Sequence, residues 1–407
     1  MKKTDYKEAG EKLIDHVSEV STLFVNIEEL HGRVLAEDII ATEDVPAYAR
    51  SPYDGYAFRA VDTKGASKDS PAVLDIIEDI RVNQIPFNII SPGTAIRLVT
   101  GSPIPGGADA VCKYEDTEFT DKTVKIFREF GEGENIISAG EDIERGRILA
   151  KKGTVIDTGL IGTMASLGID QAEVYRRVIA GIISTGDEVT DLNEPLKPGM
   201  IRNSNRYTIA AALESIGIDT VYLGHAGDDR DEIKKLILLG EAGCDVVVST
   251  GGVSAGEYDL VPDAMEDAGY ELLVRGVDIK PGMACAYGVK EGMLMLALSG
   301  NPASSLTNLQ CVCYPALRKL MGIGEFGHEL IKMKLKNDCF KKSSGVRFLR
   351  GTVKIEKGQA VFNAPGEQGN VVISSSIGCN AYGIISVKEG RIDAGSMIDG
   401  FLVNTLV

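Results

Sequence analysis

Val247-Val248-Ser249-Thr250-Gly251-Gly252-Val253-Ser254-Ala255-Gly256-Glu257-Tyr258-Asp259 is the stretch from which the rest of the chain is best read. The run from Asp245 to Val248 reads as a buried strand. It empties into a loop with three glycines and small hydroxyls, and Asp259 opens a helical segment that continues to Ala268. Strand, glycine loop and helix start form a geometry in which free backbone N–H groups and the helix dipole hold an anion. A carboxylate in the same place repels an anion, so it points to a Mg²⁺ ion between the two.

The same alternation extends on both sides. Val178 to Ser184, Asp219 to Gly224, Asp245 to Ser249 and Met293 to Leu298 read as strands. Arg206 to Ile216, Asp229 to Glu241, Leu260 to Ala268 and Ser304 to Met321 read as amphipathic helices. That order predicts a three-layer α/β domain with a largely parallel sheet. Upstream, Tyr6 to Val20 reads as a helix with Ala9, Leu13, Ile14 and Val17 on one face. Arg33 to Ile40 is strand-like and leads into a proline-bounded loop. Short strands broken by Pro and Gly follow (Tyr56 to Arg59, Ala72 to Glu78, Ala95 to Val99, Ala110 to Tyr114, Thr123 to Phe127), a small β domain. Gly146 to Ile156 reads as strand-turn-strand, and Asp157 to Leu167 as a helix capped by Asp157 or Thr158. The last ~80 residues return to short strands with glycine-rich turns, a small barrel or sandwich.

Bulk properties narrow the function. A chain of 407 residues exceeds one core and implies about two to four domains. With 44% hydrophobic and 25% charged residues it has the balance of a soluble globular protein. No apolar run is long enough for a membrane span, and the charged N-terminus lacks a signal-peptide core, so a cytoplasmic protein is expected. A formal charge of −16 with no basic stripe argues against nucleic acid. An anionic small substrate then needs a local positive patch or a metal. Seven scattered cysteines read as reduced packing thiols, and four dispersed histidines draw no zinc, haem or Ser-His-Asp constellation.

Three acidic turns leave successive strands: Ser184-Thr185-Gly186-Asp187-Glu188, Gly227-Asp228-Asp229 and Glu257-Tyr258-Asp259. Any one of them alone reads as a helix N-cap. Three at the carboxyl ends of neighbouring strands should face one crevice, where oxygen ligands suit Mg²⁺ and a phosphate-bearing substrate. Asn203-Ser204-Asn205 is either a polar ligand contact or a cap with Ser204 or Asn205 at the N-cap. Lys280-Pro281-Gly282 offers a phosphate or oxyanion clamp if it lies beside that crevice, and otherwise a solvated lysine. Ser299-Gly300-Asn301-Pro302 precedes a long helix, either an anion-binding start or plain punctuation. Asp54-Gly55, Thr100-Gly101 and Glu141-Asp142 are, by themselves, only turns.

Together the fragments resemble the MoeA family of molybdopterin molybdenumtransferases, which includes the E domain of gephyrin. The resemblance rests on Ser51-Pro52-Tyr53-Asp54-Gly55-Tyr56-Ala57, the run Thr100 to Val111, Ala139-Gly140-Glu141-Asp142-Ile143, Ser184 to Glu188, Asn203 to Tyr207, Thr250 to Asp259, Ile279-Lys280-Pro281-Gly282 and Ser299 to Pro302, in family order. It implies an elongated multidomain subunit. A linker domain would take 6–45 and 138–175, a small β domain 46–137, a molybdopterin-binding α/β domain 176–326 and a β barrel 327–407. It further implies a homodimer whose site is shared between the α/β domain of one subunit and the β domain of the other. The implied reaction is insertion of molybdate into adenylylated molybdopterin with release of AMP, requiring Mg²⁺.

Under that resemblance Glu188, Asp228 and Asp259 hold the metal, and Asp54 and Asp142 join them as catalytic carboxylates from the partner subunit. Substrate contacts fall on Thr100, Ser184, Thr185, Gly186, Asn203, Ser204, Asn205, Gly251, Gly252, Ser254, Gly256, Lys280, Ser299, Gly300, Asn301 and Pro302. Molybdopterin adenylyltransferase and molybdoenzyme apoproteins are the implied partners. The chain also departs from the family pattern: Met283-Ala284 stand where a second Lys and a Pro are usual, Gly276 where a basic residue is expected, and Ser299 where Pro is usual. Positive charge around the oxyanion pocket is therefore thinner than the family implies. Two other readings follow, a non-catalytic carrier or scaffold and insertion of a different oxyanion. An adenylyltransferase acting one step earlier consists of the α/β domain alone, and the two β regions argue against it.

Overall fold

The computed structural model describes residues 3–81, 83–253, 260–340, 345–366, 368–386 and 391–403. The chain divides into two compact units, Met1–Glu37 with Lys152–Ile161 and Gln171–Val407, and Asp38–Lys151 with Gly162–Asp170. This division is coarser than the four expected domains, because the first unit contains both the α/β domain and the barrel. Among the described residues, no helix is long and apolar enough to cross a membrane.

The α/β domain has strands β1 (Ile179–Thr185), β2 (Asp219–Ala226), β3 (Val246–Thr250), β4 (Glu271–Arg275), β5 (Cys285–Lys290) and β6 (Met293–Leu298). Its helices are α1 (Ser204–Glu214), α2 (Arg230–Glu241), α3 (Leu260–Asp267), α4 (Pro302–Asn308) and α5 (Tyr314–Leu320), the last two joined by a π turn at Leu309–Cys313. The sheet order is β2-β1-β3-β6-β5-β4. β1 pairs in parallel with β2 and β3, and β3 with β6; β5 and β4 complete an antiparallel edge.

Side chains alternate across this sheet, as pleating requires. Ala180, Ile182, Val246, Val248, Leu294 and Leu296 share a core with α1 and the long C-terminal helix. Ile183, Val247, Met295 and Ala297 face the other way, onto Ile233 and Ile237 of α2 and Val261 and Met265 of α3. Both faces are covered, which is why the strands read as continuous apolar runs. The antiparallel edge had not been expected. β5 and β6 are joined by the two-residue turn Glu291-Gly292, both at positive φ (50° and 83°), the hairpin geometry that suits strand twist.

The N-terminal helix is Tyr6–Asp15, shorter than the expected Tyr6 to Val20. Asp5 caps it by accepting the Lys7 N–H, and the chain leaves the helix at His16, yet Val17 and Val20 remain buried. Periodicity alone could not separate the helix from the apolar segment that follows it. Strands Thr22–Asn26 and Gln171–Tyr175 pair antiparallel and were also missed, because 144 or more residues separate every partner. Asp157 caps the helix Thr158–Ser166 through the Leu160 N–H at 2.8 Å, as expected.

The C-terminal strands form a closed barrel. Val346–Glu356 pairs through one half with Gln359–Asn363 and through the other with Ala381–Ile385. Ile331–Leu335 and Met397–Leu402 complete the ring around Met333, Leu335, Leu349, Phe362 and Ile398. Gly351 sits where the long strand changes partner, and a Cβ there would lie 2.5 Å from the Phe362 ring.

The second unit is built on a six-stranded sheet in the order Ala110–Lys113, Gly55–Phe58, Thr94–Leu98, Ala72–Asp79, Thr123–Ile126, Thr117–Phe119. One face buries Tyr56, Phe58, Leu74, Val124 and Ile126, and the other buries Ala57, Ile80, Ile96 and Val111.

Candidate functional site

The carboxyl ends of β1, β2, β3 and β6 converge. Thr185 pairs with Ala226 across β1 and β2, and Ser184 pairs with Thr250 across β1 and β3. The Gly251 N–H donates to the Leu298 carbonyl at 3.0 Å, which ties the glycine loop to the end of β6. The first two acidic turns are stapled together, since the Asp228 N–H donates to Asp187 Oδ1 at 3.1 Å. Gly227 lies so close that a Cβ there would collide with the same oxygen. The Gly186 N–H donates to the Ala226 carbonyl at 3.1 Å, and His225 Nε2 donates to the Gly186 carbonyl at 2.9 Å.

Gly186 has φ +118°, and a Cβ there would lie 2.6 Å from the Glu188 carboxylate. The chain therefore folds the Glu188 side chain back over Gly186. Glu188 and Asp228 are both exposed, and among the described residues neither carboxylate has a hydrogen-bond or ion-pair partner. Asp187 is the stapling residue, and the two neighbouring carboxylates remain available.

Asn203, not Ser204 or Asn205, is the N-cap of α1; its side chain accepts the Arg206 N–H at 3.3 Å. It also exchanges hydrogen bonds with Ser184 in the buried floor, its Nδ2 donating to Ser184 Oγ at 2.9 Å. The cap falls one residue earlier than expected because this bond draws the Asn203 amide inward. Ser204, instead, is the first helical residue. Asn205 is buried and donates through Nδ2 to the Gly300 carbonyl at 2.8 Å. Its Oδ1 is buried without a partner among the described residues, an acceptor suited to an N–H or O–H of a bound molecule.

Gly251 and Gly252 have φ +97° and +64° and lie against Thr185, whose Oγ1 donates to the Thr250 carbonyl at 3.3 Å. Gly300 packs on Gly251, where a Cβ would lie 3.6 Å from the Gly251 Cα. Ser299 Oγ accepts the Asn301 N–H at 3.2 Å, and Pro302 begins α4, where its missing N–H costs nothing. The loops at Thr185, Gly251 and Gly300 are thus one packed layer. Ser254, Gly256 and Asp259, the rest of the predicted set in this domain, lie outside the described residues.

Lys280 is exposed, on a turn that seats against α4: a Cβ at Gly282 would lie 3.1 Å from the Ser304 carbonyl. Met283, 45% exposed, leaves Lys280 as the turn's cation. Nothing in the sequence marked a second cation behind this layer. Arg350, 1% exposed, donates to Ser375 Oγ at 2.9 Å, to Thr307 Oγ1 of α4 at 3.4 Å and to the Gly369 carbonyl at 3.3 Å. Every acceptor is neutral, and burial lowers its pKa. Next to Gly369, Asn370 accepts the Ala303 N–H at the start of α4. The N–H groups at that helix start are thus already taken, Ala303 by Asn370 and both Ser304 and Ser305 by the Asn301 carbonyl, and Arg350 meets the helix near its other end.

Asp54, Thr100 and Asp142 belong to the second unit. Asp54 Oδ1 accepts both the Thr100 N–H, at 2.7 Å, and the Thr100 hydroxyl, at 2.8 Å. These two bonds hold the Asp54 carboxyl below its ordinary value. Asp142 sits on a corner where its N–H donates to the Val45 carbonyl at 3.0 Å. The segment from Val45 to Ser51 joins the two corners, because Val45 and Arg50 bridge to Ile143 and Ile137, and Arg50 bridges to Pro103.

Replacing Thr100 with Val removes the hydroxyl donor and keeps the N–H. The Asp54 carboxyl should then titrate at a higher pH than in the wild type. A depressed carboxyl pKa adds stability that is present above the unfolded-state value and is lost as pH falls through the folded-state value. The variant should therefore lose part of that advantage near neutral pH and show a flatter acid limb. Carboxyl-carbon NMR titration measures the shift, and an unmoved Asp54 resonance would show that the N–H alone sets it.

The residues present fit a divalent ion only in part. Among the described residues, no group of three or more His, Cys, Asp or Glu is placed to hold a metal. Two free carboxylates on adjacent strand ends, with other positions left to water and phosphate oxygens, match the sparse protein ligation usual for Mg²⁺.

Residues 4–168 match the family described as "MoeA N-terminal region (domain I and II)", and residues 181–319 match "Probable molybdopterin binding domain". The chain is 32% identical to the molybdopterin molybdenumtransferase of Staphylococcus aureus over 92% of its own length and 90% of that relative. To the Staphylococcus epidermidis protein of the same name it is 32% identical, over 98% and 95%. Among solved structures, the molybdopterin biosynthesis moeA protein of Pyrococcus horikoshii matches with a TM-score of 0.85 at 28% identity, covering 98% of this chain and all of that one.

Proposed function

Since the chain belongs to the MoeA family of molybdopterin molybdenumtransferases, we propose that it inserts molybdate into adenylylated molybdopterin and releases AMP. Its place is in molybdenum cofactor biosynthesis, as a transferase. The reading is carried by one observation: two unpartnered carboxylates, Glu188 and Asp228, stand on strand ends stapled by Asp187 and backed by the glycine layer.

In this reading Asn205 Oδ1 accepts a hydrogen bond from the substrate and so orients it. Ser184, Thr185 and Asn203, with Ser204 beside them, shape the floor; Gly251, Gly252 and Gly300 keep it low enough for close approach. Lys280 draws in the oxyanion beside the Asn301-Pro302 corner, whose own N–H groups are bonded within the protein. Glu188 and Asp228, joined by Asp259, would hold Mg²⁺, which would supply neutralising charge where the phosphoanhydride is cleaved. The dithiolene sulfurs of the substrate take the molybdenum, so protein thiols are not needed. Burial pushes the Cys285 thiol up to about 11, so in the free protein it stays protonated at neutral pH.

The proposal includes a cytoplasmic homodimer in which Asp54, Thr100 and Asp142 of one subunit serve the α/β domain of the other. Complementation tests it. Asp54→Ala and Asp228→Ala homodimers should each be inactive in a molybdate-dependent AMP-release assay. Mixed and reassorted, they should regain activity, because a heterodimer contains one intact site. No recovery in a verified heterodimer would rule out the shared site, and AMP release without molybdate would rule out the reaction.

A further inference from the structure

Asn308 ends α4 at the point where the helix widens into the π turn, and it is wholly buried. Its Nδ2 donates to the Gly282 carbonyl at 2.8 Å. Its Oδ1 accepts from the Tyr287 hydroxyl at 2.5 Å and from Cys313 Sγ at 3.6 Å. Tyr287 and Cys313 are likewise fully buried. One amide thus links α4, β5 and the turn that carries Lys280.

The turn is also held by the barrel, since Ile279 and Lys280 pair in parallel with Val346 and Arg347 of the long strand. Its ends are closed by the Val277 N–H donating to the Met283 carbonyl at 3.0 Å. Gly282, at φ +104°, fits tightly, with a Cβ position 2.9 Å from Ile279 Cδ1. Among the described residues, the Asn308 amide is the one side chain from another element that hydrogen-bonds the turn between Lys280 and Gly282. A buried amide costs free energy unless it is hydrogen-bonded, and an Asn is a poor residue for a helix interior. Leucine would fill the space with neither cost. What asparagine adds is direction: it fixes the Gly282 carbonyl, and so the seat of the turn, relative to the helix start six residues earlier.

We propose that Asn308 is a positioning residue, which sets affinity for the oxyanion by locking the Lys280 turn against the start of α4 without touching the substrate. This rests on the reading of Lys280 as an oxyanion contact. The Lys280 turn, which would contact the anion, and α4 beside it are coupled through this amide.

Steady-state kinetics with molybdate and adenylylated molybdopterin, on the full-length protein, tests it. Asn308→Leu should raise KM for molybdate about tenfold or more and leave kcat within about twofold. Tyr287→Phe removes the partner hydroxyl while leaving the amide on Gly282, so its KM for molybdate should stay within about twofold even where its melting temperature falls as far. Equal KM shifts in both variants, tracking lost stability, would make Asn308 merely structural and overturn the inference. If Asn308→Leu does not fold, Asn308→Ser, whose hydroxyl is too short to reach the carbonyl, gives the same comparison. Lys280→Ala separates the premise from the inference. A raised KM in Lys280→Ala with an unchanged KM in Asn308→Leu defeats the positioning role alone. An unchanged KM in Lys280→Ala defeats the oxyanion reading and the inference with it.

Discussion

Glu188→Gln and Asp228→Asn should each lower kcat for AMP release by about 10²–10³-fold, the loss seen when one preorganised charge-stabilising group is removed. Each change is isosteric and each side chain is exposed, so melting temperature should move by no more than about 2 °C. Raising Mg²⁺ should recover part of the lost rate, since a weakened site fills at higher concentration. Asp187→Asn is the informative control. Asp187 takes the Asp228 N–H, and an amide oxygen can still accept that bond. Its activity should fall far less than that of the two neighbours. If Glu188→Gln and Asp228→Asn keep wild-type turnover, the two strand-end carboxylates have no part in the reaction.

Gly251→Ala should be the most destructive single change in the glycine layer. Gly251 has φ +97°, a region that costs an L-residue roughly 1–2 kcal/mol. A Cβ there would also lie 2.6 Å from both the carbonyl oxygen and Oγ1 of Thr185, and overpacking of this kind costs roughly 1–3 kcal/mol. The backbone oxygen cannot swing aside as the end of a side chain can. A destabilisation of about 3 kcal/mol is expected, with loss of the Gly251 N–H to Leu298 bond and of the seat for Gly300. Gly292→Ala isolates the backbone contribution. Gly292 has φ +83° in the β5–β6 turn, and a Cβ there would meet nothing within 4 Å. Chemical denaturation of both variants should show Gly292→Ala costing only about 1–2 kcal/mol. Equal losses would mean that the clash with Thr185 relaxes freely.

How far the sequence could be read depended on the range of each interaction. The Asp157 cap was legible because cap and donor are three residues apart. The acidic turns were legible because each follows its own strand. What they do to one another was not: Asp187 staples Asp228 across 41 residues, and Asp54 takes both donors of Thr100 across 46. Asn203 as the N-cap of α1 was missed by one residue, because its competing partner, Ser184, is 19 residues away. Arg350 and Asn308 carried no signal at all, since nothing near either in the chain marks a burial that comes from packing α4 against the barrel and the Lys280 turn.

By itself the sequence determined the parallel strands and the helices of the three-layer α/β core and the strand ends at which polar chemistry would collect. Those features follow from alternation, helical period and glycine punctuation, all of them local to a few residues. Tertiary structure alone decided which carboxylate became a staple and which stayed available. It also set the antiparallel edge of the sheet, the closure of the barrel and the buried amide under the Lys280 turn. Each of these is a contact between segments distant in the chain, whose partner is selected by packing and hydrogen-bond satisfaction in the folded state, and no local pattern encodes that choice.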